Sequence, residues 1–157
     1  MSKTLKALPL NAEALAPYVS VLAASDGKAR AIPEVHMTGD VPGAHALTIL
    51  CPQPVAGPVL IATMERHPHS NQSFLPIRSG RWLVVVAPTA ADGSPDVSGA
   101  MAFVAGPEDA ICIYQNVWHA GLTVLDSPGE FGMIMWKAEN GADGEVSTLV
   151  EPIAIEY

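Results

Sequence analysis

Residues 65–72, Glu65-Arg66-His67-Pro68-His69-Ser70-Asn71-Gln72, gather a carboxylate, an arginine, two imidazoles and two amides. The chain around them is poor in charge: only 15% of its residues are charged. Residues two apart on a strand face the same side, so Glu65 and His67 can project together. Pro68-His69-Ser70-Asn71 reads as a turn, after which Gln72, Phe74 and Pro76 share a face. Far downstream stands Tyr114-Gln115-Asn116-Val117-Trp118-His119. His119, at a strand end, could swing back into the same barrel mouth.

Two imidazoles and a carboxylate make a divalent-metal set, because imidazole nitrogen and carboxylate oxygen both suit zinc, nickel, manganese or iron. The same groups without a metal can move protons, histidine having its charge change in the useful pH range. Each residue also has a plainer reading. His67 could be a hydrogen-bonded histidine at a strand end, and Glu65 a rim carboxylate paired with Arg66 or Arg78. His69, in the turn beside Ser70 and Asn71, is expected to be solvated. Tyr114 and Trp118 can line a pocket, though an aromatic on a strand commonly belongs to a core.

The elements that must position these groups read as short β-runs. Strands are expected over residues 45–51, 59–65, 73–77, 82–87, 100–104, 110–114, 129–136 and 146–155, with a further candidate over 29–36. Each run is bounded by Gly, Pro, Asp or Ser, at the spacing of an all-β sandwich or barrel. The 14 prolines and 13 glycines fall mainly between the runs, where turn chemistry places them. Residues 6–10 read as extended. Asn11 is a good helix N-cap, with Leu15, Val19 and Leu22 at helical spacing, and Pro17 keeps that helix short or kinked. The reading is one small β-domain, residues 1–157, with a short N-terminal helix.

A length of 157 residues suits one domain with its own core. The low charge favours a closed barrel or a buried interface between copies, and so hints at a dimer. A net charge of −8 repels phosphate backbones and anionic headgroups, which argues against nucleic acid and membrane surfaces as partners. A small anionic substrate is still compatible, because a local cluster of donors outweighs the distant field. Cys51 and Cys112 lie in apolar runs without CxxC spacing and read as buried small hydrophobes. No apolar stretch has the length of a signal peptide core or a membrane helix. A cytoplasmic, reducing-compartment protein is expected.

The string Glu65-Arg66-His67-Pro68, then Gln72, Phe74 and Pro76, then Gly80 and Val84-Val85-Val86, followed by Pro95-Asp96-Val97, Ala102-Phe103 and Asn116-Val117-Trp118-His119, strongly resembles the ureidoglycolate lyase family. Leu8-Pro9-Leu10, Leu15, Tyr18 and Gln53-Pro54 are similar to it as well. The resemblance implies a cupin-like β-barrel (a double-stranded β-helix, or jelly roll), commonly a homodimer. It also implies cleavage of ureidoglycolate to glyoxylate and urea in allantoin and purine breakdown.

Within that frame Glu65, His67, Gln72 and His119 resemble the positions where many cupins place metal ligands. The implied cofactor is a divalent metal, nickel or else manganese or zinc, or none. Glu65 or His119 would act as base, His67 as ligand or acid, and Gln72 as an orienting amide. Arg30, Tyr114 and Trp118 are further candidates for contact with a small carboxylate substrate. Two regions depart from the family's pattern. Asp26-Gly27-Lys28-Ala29-Arg30 stands in place of its Arg-Tyr-His-Asp segment, and Met135-Trp136-Lys137 in place of its Asp-Arg pair. Alternatives are therefore a hydrolase releasing ammonia, or a divergent cupin acting on or only binding another small ureido or hydroxy acid.

Overall fold

Trp82–Ala87 is apolar at every position and buried at every position. An alternating strand with both faces covered must sit between two cores, and that placement organises the molecule. The computed structural model describes residues 3–23, 27–32, 35, 38–141 and 143–157. In chain order the elements are β1 (Thr4–Lys6), β2 (Leu8–Pro9), α1 (Ala12–Leu15), β3 (Val19–Leu22), β4 (Gly43–Leu50), β5 (Val59–Arg66) and β6 (Gln72–Arg78). They continue with β7 (Trp82–Ala87), β8 (Met101–Ala105), β9 (Ala110–Ile113), β10 (Trp118–His119), β11 (Thr123–Val124), β12 (Glu130–Ala138) and β13 (Glu145–Glu156). The all-β expectation holds.

One sheet runs β1-β13-β5-β10-β7-β8-β2, with β11 also paired to β7. The other runs β3-β9-β6-β12-β4. Trp82, Val84 and Val86 pack with Phe74, Phe103, Ile111 and Phe131 in one core. Leu83, Val85 and Ala87 pack with Val59, Ile61, Ile153, Ile155 and Trp118 in the other. The first core contains side chains of both sheets, including Phe74 and Phe131 of the second, and so lies between them. Burying each such large apolar side chain contributes about 1.5–3 kcal/mol. Trp82 anchors its core doubly: its ring meets Phe131 edge-on at 5.3 Å, and its Nε1 donates to the Gly106 carbonyl at 2.9 Å.

The chain passes between the sheets repeatedly, and two of these crossings flank one end of the molecule: residues 67–71 lead from β5 to β6, and the connection that includes Asp143 leads from β12 to β13.

Several local expectations change. The Asn11 cap forms, its side chain accepting from the Ala14 N–H at 3.0 Å, but the helix is a single turn. Pro17 follows the buried Leu15, and Val19 and Leu22 continue as β3 against β9 rather than as a helix face. Residues 29–32 form no strand; most of the remainder of that expected run lies outside the described residues. Cys112 is buried as expected, whereas Cys51 is exposed just beyond β4, and the two form no disulfide. No helix among the described residues is long and apolar enough to cross a membrane.

Candidate active site

β10 is two residues long, yet it is held on both sides. His119 pairs with Glu65 of β5 and with Val86 of β7. The turn before it is made possible by Asn116, whose φ of 65° is one that few residues besides glycine and asparagine adopt readily. The Asn116 N–H donates to the His67 carbonyl at 2.8 Å, which ties the two distant motifs together. Trp118 and His119 then point to opposite faces. His119 enters the space between the sheets, while Trp118 joins the other core and donates its Nε1 to the Gly93 carbonyl.

His119 is 1% exposed. Its Nδ1 lies 2.9 Å from the Val117 carbonyl; a carbonyl only accepts, so Nδ1 carries the hydrogen. Nε2 then faces two oxygens, Gln72 Oε1 at 3.0 Å and Glu65 Oε1 at 3.5 Å. The Gln72 amide nitrogen points the other way, toward Met133 Sδ at 3.3 Å and Met135 Sδ at 3.9 Å. Those sulfurs need a donor, which leaves Oε1 for His119.

His67 repeats the pattern. Its Nδ1 lies 2.6 Å from the Asp143 carbonyl, so Nε2 presents a bare lone pair, and that atom is buried without a partner among the described residues. The two rings are 5.6 Å apart. Glu65, His67 and His119 bring their donor atoms within 4.8 Å of one another. Lone pairs converging on one point call for a cation between them, a proton or a metal ion. The orphaned His67 nitrogen and the mixed nitrogen–oxygen set fit a divalent metal.

Electrostatics agree with this geometry. The hydrogen bond from His119 holds the Glu65 carboxyl below the usual carboxylate range; partial burial opposes it, and the charges of His119 and His67 reinforce it. Neither arginine expected to pair with Glu65 does so. Arg66 bonds Glu145 at 2.6 Å, and Arg78 bonds Glu130 at 3.2 Å. Glu65 is thereby left to the histidines.

A cavity of about 200 Å³ opens beside His67, lined also by Ala46 and Thr48 of β4 and by Met133, Met135 and Lys137 of β12. Larger clefts, of about 530 Å³ beside residues 8–11 and about 320 Å³ beside Lys3 and Glu151, hold none of the four donors.

The four residues singled out as ligands, Glu65, His67, Gln72 and His119, thus come together. Three others do not join them. Arg30 is exposed on the stretch between β3 and β4 and is absent from the cavity wall. Tyr114 is half-buried after β9, its N–H donating to the Tyr18 carbonyl. Trp118 faces the other core. His69, expected in solvent, lies at the surface with a third of its side chain exposed and bonds the exposed Asp40 at 2.7 Å. Asp143 and the two methionines gave no signal in the sequence. Met133 and Met135 had period two, but nothing marked them as neighbours of Gln72. Asp143 sits in a turn with no periodicity at all.

A barrel-like pair of β-sheets with a partly buried His–Glu–Gln donor cluster at one mouth, beside a small cavity, defines the class. The chain belongs to the ureidoglycolate lyase family, whose model matches residues 2–156. It is 35% identical over 156 residues to an Agrobacterium fabrum protein provisionally named ureidoglycolate lyase, covering 98% of this chain and 96% of the other. It is 32% identical over 161 residues to ureidoglycolate lyase 2 of Rhizobium meliloti, covering 95% of each. Among solved structures, it is similar to a mutant of Bacillus subtilis oxalate decarboxylase, with a TM-score of 0.42, 18% identity, and coverage of 68% of this chain and 24% of that one. It is also similar to a dTDP sugar isomerase from Desulfovibrio desulfuricans, with a TM-score of 0.47, 17% identity, and coverage of 82% and 80%.

Proposed function

We propose that the protein cleaves ureidoglycolate to glyoxylate and urea. Family membership along nearly the whole chain supports the reaction, and the convergence of Glu65, His67, Gln72 and His119 supplies the chemistry. The substrate carbon bears a hydroxyl, a ureido nitrogen and a carboxylate. Breaking its C–N bond requires removing the hydroxyl proton and protonating the departing nitrogen.

Glu65 suits both halves of that transfer. Its lowered pKa keeps it ionised and ready to accept the hydroxyl proton, and its side chain is 36% exposed, so a substrate can reach it. As the hydroxyl oxygen forms the C=O bond, the C–N electron pair leaves with nitrogen. Protonated Glu65, an unusually strong acid for a carboxyl group, then returns the proton to that nitrogen. His119 is buried and fixed at both ring nitrogens, and so orients Glu65 rather than meeting solvent. A divalent metal such as nickel, manganese or zinc, held by Glu65, His67, Gln72 and His119, would polarise the substrate oxygens.

The cavity matches a small acid. Its 200 Å³ falls below the ~300–1,000 Å³ of pockets for drug-sized ligands. Lys137 stands on its wall as the cation for the substrate carboxylate, a role that Arg30 is not placed to take.

Around this reaction, a role in allantoin and purine breakdown follows from the substrate, and two cysteines without a disulfide between them suit a reducing cytoplasm. A homodimer is supported by the exposed Leu47 and Ile49 on the open edge strand β4 and by Ile77 on β6. The acidic net charge disfavours nucleic acid and anionic membranes.

The test is release of urea and glyoxylate from ureidoglycolate by wild type and His119→Ala, after chelation and after adding back nickel or manganese. Wild type should yield the two products in equal amounts, and His119→Ala should lose ~100-fold in rate, in keeping with displacement of the carboxylate that it positions. Ammonia in place of urea, or a fully active His119→Ala, would overturn the proposal.

A further inference from the structure

Asp143 lies in the turn-rich connection between β12 and β13, yet it is 6% exposed. A buried carboxylate is costly unless it is hydrogen-bonded, and among the described residues every hydrogen bond of Asp143 goes to one short segment. Oδ1 accepts from the His69 N–H at 2.8 Å, and Oδ2 accepts from the Ser70 hydroxyl. Its main-chain carbonyl accepts from His67 Nδ1 at 2.6 Å. Residues 67–70 carry the chain from the first sheet to the second, while Asp143 lies where the chain crosses back. One residue therefore clasps the two crossings together at the mouth of the donor cluster.

We infer that Asp143 is a positioning residue of the site. Its carboxylate holds the loop and its carbonyl holds His67 in the Nδ1–H tautomer, leaving the buried Nε2 lone pair aimed at the cluster. The nitrogen that carries the proton is decided by the hydrogen bond the other one makes, and such outer partners of ligating histidines commonly govern affinity by ~10–100-fold. The side chain and the carbonyl act as one device: if the carboxylate releases residues 69 and 70, the carbonyl no longer meets Nδ1.

This inference rests on His67 being a ligand of the site, but its test needs no turnover. The neighbouring pair Arg66–Glu145, at 2.6 Å, provides a control that braces the same loop without touching His67. Imidazole ¹⁵N spectra of the metal-free protein, and calorimetric titration with nickel chloride, are to be compared among wild type, Asp143→Asn, Asp143→Ala, Ser70→Ala and Glu145→Gln. In wild type His67 should be the Nδ1–H tautomer alone. Asp143→Ala should give a mixture containing the Nε2–H form and weaken nickel ~10–100-fold. Ser70→Ala should do so to a smaller degree, and Glu145→Gln should match wild type.

Asparagine can still accept from the His69 N–H but cannot fully replace both carboxylate oxygens, so Asp143→Asn should fall between wild type and alanine. If Asp143→Ala does not fold, Asp143→Asn and Ser70→Ala carry the measurement. Folded Asp143 variants with an unchanged His67 tautomer, or a wild type already in the Nε2–H form, would overturn the inference. Failure of ureidoglycolate cleavage, with these spectra as expected, would overturn only the proposed reaction.

Discussion

Replacing Gln72 with leucine removes one amide and almost nothing else. The residue is 4% exposed, and its backbone is paired on both sides, with Met135 of β12 and Ile113 of β9. Leucine is of similar size and meets Met133 and Met135 well. What disappears is the acceptor 3.0 Å from His119 Nε2. Removing one hydrogen-bonding partner of a buried polar group costs about 1–3 kcal/mol, and each ~1.4 kcal/mol is a factor of ten in rate.

Gln72→Leu should therefore lower kcat for urea release by roughly 10–100-fold. KM should move by less than about threefold, because Gln72 touches His119 and is not part of the cavity wall. Steady-state assays with ureidoglycolate, beside circular dichroism to verify the fold, decide the matter. A folded Gln72→Leu enzyme with wild-type kcat would refute the view that Gln72 orients His119. A rise in KM alone would place Gln72 against the substrate instead.

Three further outcomes are expected. Lys137→Met should raise KM for ureidoglycolate roughly two- to fivefold, the size of one surface-accessible ionic contact, with kcat little changed; an unchanged KM would remove Lys137 from the carboxylate site. Because the folded pKa of Glu65 is depressed, its contribution to stability is present above its unfolded pKa and is lost as pH falls through the folded value. Melting temperature should accordingly drop with acid more steeply in wild type than in Glu65→Gln, and parallel curves would contradict that assignment. Trp82→Phe, which deletes the donor to Gly106 and part of the packing on Phe131, should cost about 1–3 kcal/mol in denaturant unfolding, with activity retained at low denaturant.

The longer strands were legible as apolar, β-rich runs bounded by turn residues: β7 reads as an unbroken apolar run, and β5 begins by alternating buried and exposed positions. Glu65, His67, Gln72 and His119 stood out as polar groups in a chain with few. Other features depended on contacts between distant residues. Val19 and Leu22 have helical spacing with Leu15, but after Pro17 the open edge of β9 offers ladder hydrogen bonds that a broken helix cannot match. Trp118 and His119 are adjacent, so a strand must send them to opposite faces, and pairing with Glu65 and Val86 decided that His119 took the inner one. The partners of Asp143 are 73 to 76 residues away in sequence. No local pattern encodes such a contact. Cys51, in an apolar run, is exposed because it lies just past the end of an edge strand, where the sheet no longer covers it.

The burial of β7 on both faces has a consequence for motion. Amide hydrogens in such a strand exchange with solvent only through openings close to global unfolding, and β10 is bonded directly to it. His119 therefore rides on the most protected part of the molecule. His67 rides on a connection between sheets, held by Asp143 and, through its own carbonyl, by Asn116. Hydrogen exchange should therefore report the two imidazoles differently, with the amides of β7 and β10 among the last to exchange and those of residues 67–71 earlier.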